Sequence, residues 1–169
     1  LLSYVERHAV QNNLPDQFIE WLRSKNHFCN TLVDRIVPGK SEPQDLININ
    51  GISYTDHLHT AAEPYALWAI EGNEVVKQKL NFFSEDSAAF VTEDLEPYKE
   101  RKLRILNGSN TFMAGLGWQM GCTTTYDTMV LEQTRLYTQK LIFDEIIPTI
   151  EKRCSGLDAF AQETLDRFS

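Results

Sequence analysis

Apolar residues recur at helical spacing along most of this chain. Leu2, Val5 and Ala9 share one face over residues 1–11. After the break QNNLP, a second helix is expected from Pro15, with Phe18, Trp21 and Leu22 facing inward. The pattern changes over FCNTLVDRIVP, residues 28–38, where short β-branched stretches partly alternate and Pro-Gly closes the run. This predicts a strand or extended segment. Residues 39–60 are polar without a clear period and read as a long surface loop. Apolar runs at 66–70 and 88–92 predict two more strands, with NEVVKQKLNFF between them as a short helix.

From Glu96 onward the spacing is wholly helical: 97–118 with a break near Gly115, 125–147 stopped by Pro148, and 156–168. Val130, Tyr137, Leu141 and the run Phe143 to Ile147 form a broad apolar stripe on the second of these. Ser155 and Asp158 give the last a capping-box-like start. The expected fold class is therefore mainly α with a few short β-strands. The change from mixed to all-helical near Pro97 marks the expected boundary, with residues 1–96 and 97–169 on either side.

The most pointed chemistry lies in EPYKERKLRILNGSNT, residues 96–111. Asp94 and Pro97 signal a helix start, and no breaker follows until Gly108. At about 100° per residue, Lys102, Asn107 and Asn110 fall within a ~140° arc, with Lys102 and Asn107 ~7.5 Å apart along the axis. An amine that can lose its proton, beside two uncharged hydrogen-bond donors, suits proton transfer at a carbonyl or carbinol carbon. The bland alternative is a solvated basic face. Against it, basic residues early in a helix oppose the macrodipole, and asparagines are poor helix-interior residues. Lys99, Arg101 and Arg104 would also press the Lys102 ammonium to lose its proton, as a general base requires.

Composition narrows the class. The chain has 169 residues, 42% hydrophobic and 11% aromatic, enough for one good core rather than a disordered segment. A net charge of -8 argues against a general nucleic-acid binder. No run approaches the ~20 apolar residues of a membrane span. Cys29, Cys122 and Cys154 are widely spaced and odd in number, which fits reduced thiols in a cytoplasm. Without an initiator methionine or a signal peptide at LLSYVERHA, the chain reads as a piece of something longer. Asn107-Gly108-Ser109 matches a glycosylation pattern, read as chance in the absence of an export signal.

Other motifs carry less. Gly115-x-Gly117-x3-Gly121 imitates a dinucleotide loop, but a helix precedes it where a strand is needed, so helix packing or a turn is the better reading. His57, His59 and Glu63, with Cys29 as a fourth ligand, match no standard zinc spacing, and no metal is expected. Asp34 next to Arg35 is either a local ion pair or a polar group facing a cofactor. Glu63-Pro64 is either a loop feature or a site wall.

Three blocks in order, FCNTLVDRIVPG (28–39), EPYALWAIEG (63–72) and EPYKERKLRILNGSNT (96–111), resemble the mannitol dehydrogenase family. Its members are long-chain polyol-specific dehydrogenases and hexuronate reductases, and LPDQFIEWL upstream points to the hexuronate branch. The resemblance implies NAD as cofactor, no metal, and hydride transfer between the nicotinamide and C3 of altronate, giving tagaturonate. The family's helical motif Lys-x4-Asn-x2-His maps onto Lys102 and Asn107, with Asn110 at the histidine position. Lys102 would be the general base and Asn107 the donor to the developing alkoxide. Asn110 can donate a hydrogen bond but cannot carry a proton. Val33 and Asp34 would lie on the cofactor side of the cleft. The chain would join the end of a Rossmann-type cofactor domain to the start of an all-helical substrate domain, and on its own would be inactive. A mannitol, fructuronate or other polyol enzyme is the alternative within the family. A non-catalytic helical domain binding a partner through the aromatic residues of 15–24 is the alternative outside it.

Overall fold

The computed structural model describes residues 1–39, 58, 60–80 and 88–169. The surface loop expected over 39–60, and with it His57 and His59, lies almost wholly outside the described residues. Two compact units emerge, one from residues 1–31 and 69–95 and the other from residues 32–68 and 96–169.

In the first unit, helix α1 (Leu2–Gln11) turns at Asn13, whose positive φ of 54° asparagine tolerates better than most residues. Helix α2 (Asp16–Lys25) follows, and Arg23 reaches back to Glu6 at 2.6 Å. Leu22 is buried as expected, but Trp21 is half exposed. The inward face is centred on Phe18, Ile19 and Leu22, and Trp21 falls about 60° outside it at 100° per residue. Trp21 instead lies against Phe18, ring centroids 5.9 Å apart. Helix α3 (Glu74–Lys79) is capped by Asn73, whose side chain accepts from the backbone N–H groups of Val75 and Val76.

Strands β1 (Thr31–Asp34), β2 (Leu67–Glu71) and β3 (Ala89–Thr92) form one sheet in that order. The Thr31 hydroxyl donates to the carbonyl of Ala69 and the N–H of Glu71 to the carbonyl of Asn30. The first strand is shorter than the apolar run 28–38 that predicted it, because only four residues find ladder partners.

In the second unit, one continuous helix runs from Glu96 to Gln119, without the break expected near Gly115. Its parts are α4 (Glu96–Arg101), a π-helical turn (Lys102–Asn107) and α5 (Gly108–Gln119). A glycine within a helix costs stability without ending it, and the chain turns at Gly121, where φ is 80°. The next expected helix, 125–147, is interrupted. It comprises α6 (Thr125–Val130), α7 (Glu132–Lys140), a second π turn (Leu141–Ile146) and α8 (Ile147–Ile150), with Leu131 extended between the first two. The buried Thr134 hydroxyl bonds the carbonyl of Thr128, at the end of α6, and that of Leu131, which also accepts from the N–H of Arg135. Pro148 does not stop the helix. The wider π turn before it relieves the clash between a proline ring and the carbonyl four residues back.

The bend and the π turn also reset the helical phase. Val130 and Tyr137 are therefore mostly exposed, and Thr134, Thr138 and Ile142 are buried in their place. Helix α9 (Leu157–Phe168) starts from Gly156 in the left-handed region, without the box expected from Ser155 and Asp158. The Ser155 carbonyl instead accepts from Arg101 Nη1 at 3.3 Å. The core gathers Ile105, Leu106, Met113, Ile142, Ile150 and Phe160, among others, from these helices. Among the described residues, no helix is long and apolar enough to cross a membrane.

The glycine motif serves packing and turning. Gly121 makes the turn, while Gly117 lets α5 meet α6 so closely that an added Cβ would overlap Thr128 Oγ1. Thr128 is buried and its hydroxyl is tied to the carbonyl of Thr124, so it cannot retreat. Gly117→Ala should therefore cost about 1–3 kcal/mol by overpacking. Thermal denaturation checks this, and an unchanged melting temperature would show that the two helices can separate at no cost.

Candidate active site

The second unit holds an open cavity of about 460 Å³. That lies within the range of small-ligand sites, roughly 300–1,000 Å³. Lys102, Asn107 and Asn110 all line it, together with Asp34, Arg35, Thr125 and Arg167. The π turn is what aligns the first two. In an i→i+5 helix, residues five apart stack on one face, whereas in a regular α-helix they would diverge by about 140°. The N–H of Gly108 bonds the carbonyl of Leu103, five residues back. Lys102 is half-buried, Asn107 and Asn110 are exposed, and among the described residues the Lys102 ammonium has no ion-pair or hydrogen-bond partner.

The basic neighbours of Lys102 are answered by acids that the spacing argument left out. Lys99 pairs with Glu96 at 2.9 Å, and Glu100 stands between Arg104 and Arg153 at 3.6 and 3.3 Å. Arg101 lies over the rings of Phe160 and Tyr98, 4.6 and 5.6 Å from their centroids. Burial, with the Glu100 charge adding to it, pushes the nearby Cys154 thiol up.

Beneath the cavity lies a buried ion cluster. Arg167 donates from Nη2 to Asp34 Oδ1 at 2.8 Å and to Glu63 Oε1 at 2.6 Å, and from Nε to Glu63 Oε2 at 2.9 Å. Its guanidinium also covers the Tyr65 ring at 4.1 Å. The side chains of Arg167 and Asp34 are 6% and 1% exposed, so the pair is shielded from water. Burial alone would lower the pKa of Arg167, but the bonds to Glu63 and Asp34 outweigh it and hold it above its ordinary value. Burial likewise works to raise that of Glu63. The bonds from Arg167 and from the N–H of Ile36 prevail and hold this carboxyl below the usual range. The Tyr65 hydroxyl is pushed up by burial and by the charges of Asp34 and Glu163.

Asp34 and Glu63 thus meet through a residue that the motif reading missed. A signal was present: Phe160, Thr164 and Arg167 fall at i, i+4 and i+7 on the buried face of α9. Val33 points the other way. Alternation along β1 leaves it 58% exposed while Asp34 is buried. Arg35 donates from Nε to the carbonyl of Glu63 at 2.9 Å and faces the cavity. Of the metal ligands weighed, Glu63 is committed to Arg167, and among the described residues no group of three or more such side chains could hold an ion. The three cysteines are free.

Residues 2–83 match the mannitol dehydrogenase Rossmann domain, and residues 94–169 match the mannitol dehydrogenase C-terminal domain. The chain belongs to the mannitol dehydrogenase family. Altronate oxidoreductase of Halalkalibacterium halodurans is 41% identical over 99% of the chain, and that of Shigella flexneri is 33% identical over 99%. The chain spans about a third of the length of these relatives, 33% and 35%. Among solved structures, mannitol 2-dehydrogenase of Pseudomonas fluorescens, in a ternary complex with NAD and D-mannitol, aligns with a TM-score of 0.65 at 24% identity. It covers 92% of this chain and 31% of its own. A substrate-free D-sorbitol dehydrogenase gives 0.72 at 22%, covering 94% and 32%. Those two likenesses establish the fold: a Rossmann part continued by a helical domain, mainly α with short strands, as the sequence led one to expect.

Removing the guanidinium should expose the weight of the ion cluster. Arg167→Leu leaves two shielded carboxylates without their cation and should cost about 3–5 kcal/mol near neutral pH. The sign with pH should also reverse. In the parent chain the depressed Glu63 contributes stability above the unfolded carboxylate value of ~4.3, and this is lost as pH falls through the folded value. In the variant, protonation relieves the stranded charges, so melting temperature should rise between about pH 8 and pH 5. Equal pH slopes for the two proteins would show that the cluster adds nothing.

Proposed function

We propose that this chain is the middle part of an NAD-dependent oxidoreductase that interconverts altronate and tagaturonate, with residues 1–96 closing the cofactor domain and 97–169 opening the substrate domain. The observation that carries this reading is the convergence of Lys102, Asn107 and Asn110 on one cavity. Likeness to two altronate oxidoreductases over nearly the whole chain supports the choice of substrate.

The residues present fit the dinucleotide at its nicotinamide end. Val33 offers an exposed apolar face on β1, and Asp34 to Ile36, next in the chain, form part of the cavity wall. Both Asp34 oxygens are held by Arg167, so Asp34 would fix that wall rather than accept from the cofactor. What the dinucleotide supplies when bound is acceptance of hydride from the carbinol carbon, and its return in the reverse direction.

The chain's own residues handle the proton and the charge. Lys102, as the neutral amine, takes the hydroxyl proton as C3 is oxidised and becomes an ammonium. In reduction it gives that proton back to the oxygen. The Asn107 amide donates to the same oxygen while it carries negative charge, a contribution typically worth about 3 kcal/mol. Asn110 donates to a neighbouring substrate hydroxyl, which orients the sugar acid without moving a proton. Arg35, whose side-chain hydrogen bond goes to a neutral carbonyl, brings a positive charge to the cavity wall, and this suits an anionic uronate over a neutral polyol.

In the full-length protein containing this chain, Lys102→Met should lower turnover of tagaturonate by about 10²- to 10⁴-fold while NADH binding, followed by fluorescence, is retained. Turnover within a few-fold of the parent would remove Lys102 from the chemistry. Preference for mannitol over altronate would move the protein to the polyol branch. The 169-residue chain alone should reduce no tagaturonate, and NADH-dependent reduction by it would refute the view that both halves of the cleft are incomplete.

A further inference from the structure

Asn110 carries a primary amide, and an amide presents two faces of nearly equal shape, an oxygen that accepts and an NH2 that donates. A half-turn of the side chain exchanges them. Which end meets a bound molecule depends on whatever holds the other end. Among the described residues, the side-chain contact of Asn110 is with Thr125, whose hydroxyl donates to Asn110 Oδ1 at 3.3 Å. Both residues line the cavity. The bond is long for O–H···O, so its effect depends on how firmly each partner is placed.

Thr125 is firmly placed. It is the first residue of α6, directly after a closed cap. The Thr124 side chain accepts from the N–H of Asp127 at 3.0 Å. Asp127 Oδ2 in turn accepts from the N–H groups of Thr123 and Thr124 and from the Thr123 hydroxyl. The bonds to Thr124 and Thr123 hold the Asp127 carboxyl below the usual range, so the cap stays charged at any ordinary pH. Asn110 lies on α5, and the close approach of Gly117 to Thr128 fixes α5 against α6. The hydroxyl and the amide are therefore brought together by two helices that cannot easily slide apart.

We propose that Thr125 is a positioning residue that holds the Asn110 amide oxygen, so that the NH2 end faces the cavity and this wall donates to acceptor groups of the bound molecule. The proposal rests on the reading above for what is bound, a hydroxylated sugar acid, and adds which end of Asn110 meets it and what fixes that end. It implies selectivity: carboxylate, carbonyl and hydroxyl oxygens are accepted at this point, and an ammonium, which has no lone pair to offer, is refused.

The test uses the full-length protein carrying Thr125→Val, which keeps the shape and removes the hydroxyl, Thr125→Ala as a second form of the loss, and Thr125→Ser, which restores the donor. Val and Ala should raise KM for tagaturonate about five- to tenfold with a smaller change in kcat, and Ser should stay near the parent. A parental KM in Val and Ala, or a Ser variant as impaired as Val, overturns the proposal. Should the parent protein turn over no hexuronate, the functional reading falls, and neutron crystal structures of the parent and the Val variant, which tell the amide oxygen from the deuterated nitrogen, decide this point separately. An Asn110 amide that turns or splits between orientations in the variant upholds the role of Thr125, and one in an unchanged orientation overturns it.

Discussion

The pairing of Arg167 with Asp34 and Glu63 is the constraint on which the second unit depends. It ties the end of β1 and the segment around Glu63 to the last turn of α9, elements more than a hundred residues apart in sequence. The three charges do not balance, and two carboxylates share one guanidinium away from water. Such an arrangement survives only when nearly every lone pair is used. Here the N–H of Ile36 and the face of Tyr65 complete it. A guanidinium so fully engaged is poorly placed to grip a substrate, and its contribution to the cavity is to hold the wall on which Arg35 is mounted.

The two π turns form the second determinant. One stacks Lys102 over Asn107, and the other, Leu141–Ile146, widens the chain ahead of Pro148 so that the helix can pass a proline. The turns also meet: the side chain of Ile146 lies 3.9 Å from where a Cβ on Gly108 would stand. A widened turn exchanges good backbone geometry for a side-chain alignment that a regular helix cannot offer, and such turns often coincide with functional positions. In this chain the first coincides with the candidate base.

Much of the site was legible in the residues. Lys102, Asn107 and Asn110 stood out because a cationic start and internal asparagines both run against helix preference, and all three do line one cavity. Their alignment was legible only in part, since a period of 3.6 was assumed where the backbone adopts a wider one. Asp34 and Glu63 were each left with two readings, because an acid in an apolar run needs a distant partner to explain it and local spacing cannot reveal one. Thr125 carried no signal at all: a hydroxyl after a cap looks like any other until the helix before it is folded alongside.

The order and type of most elements and the family followed from the chain itself, since periodicity, breakers and three motif blocks are local properties. The phase of each helix did not. Leu131 bends the chain and Leu141–Ile146 loosens it, so Thr134 and Thr138 are inside where Val130 and Tyr137 were expected. Only the tertiary structure decided this, because the Thr134 hydroxyl can serve the Thr128 carbonyl across the interruption once neighbouring helices bury it.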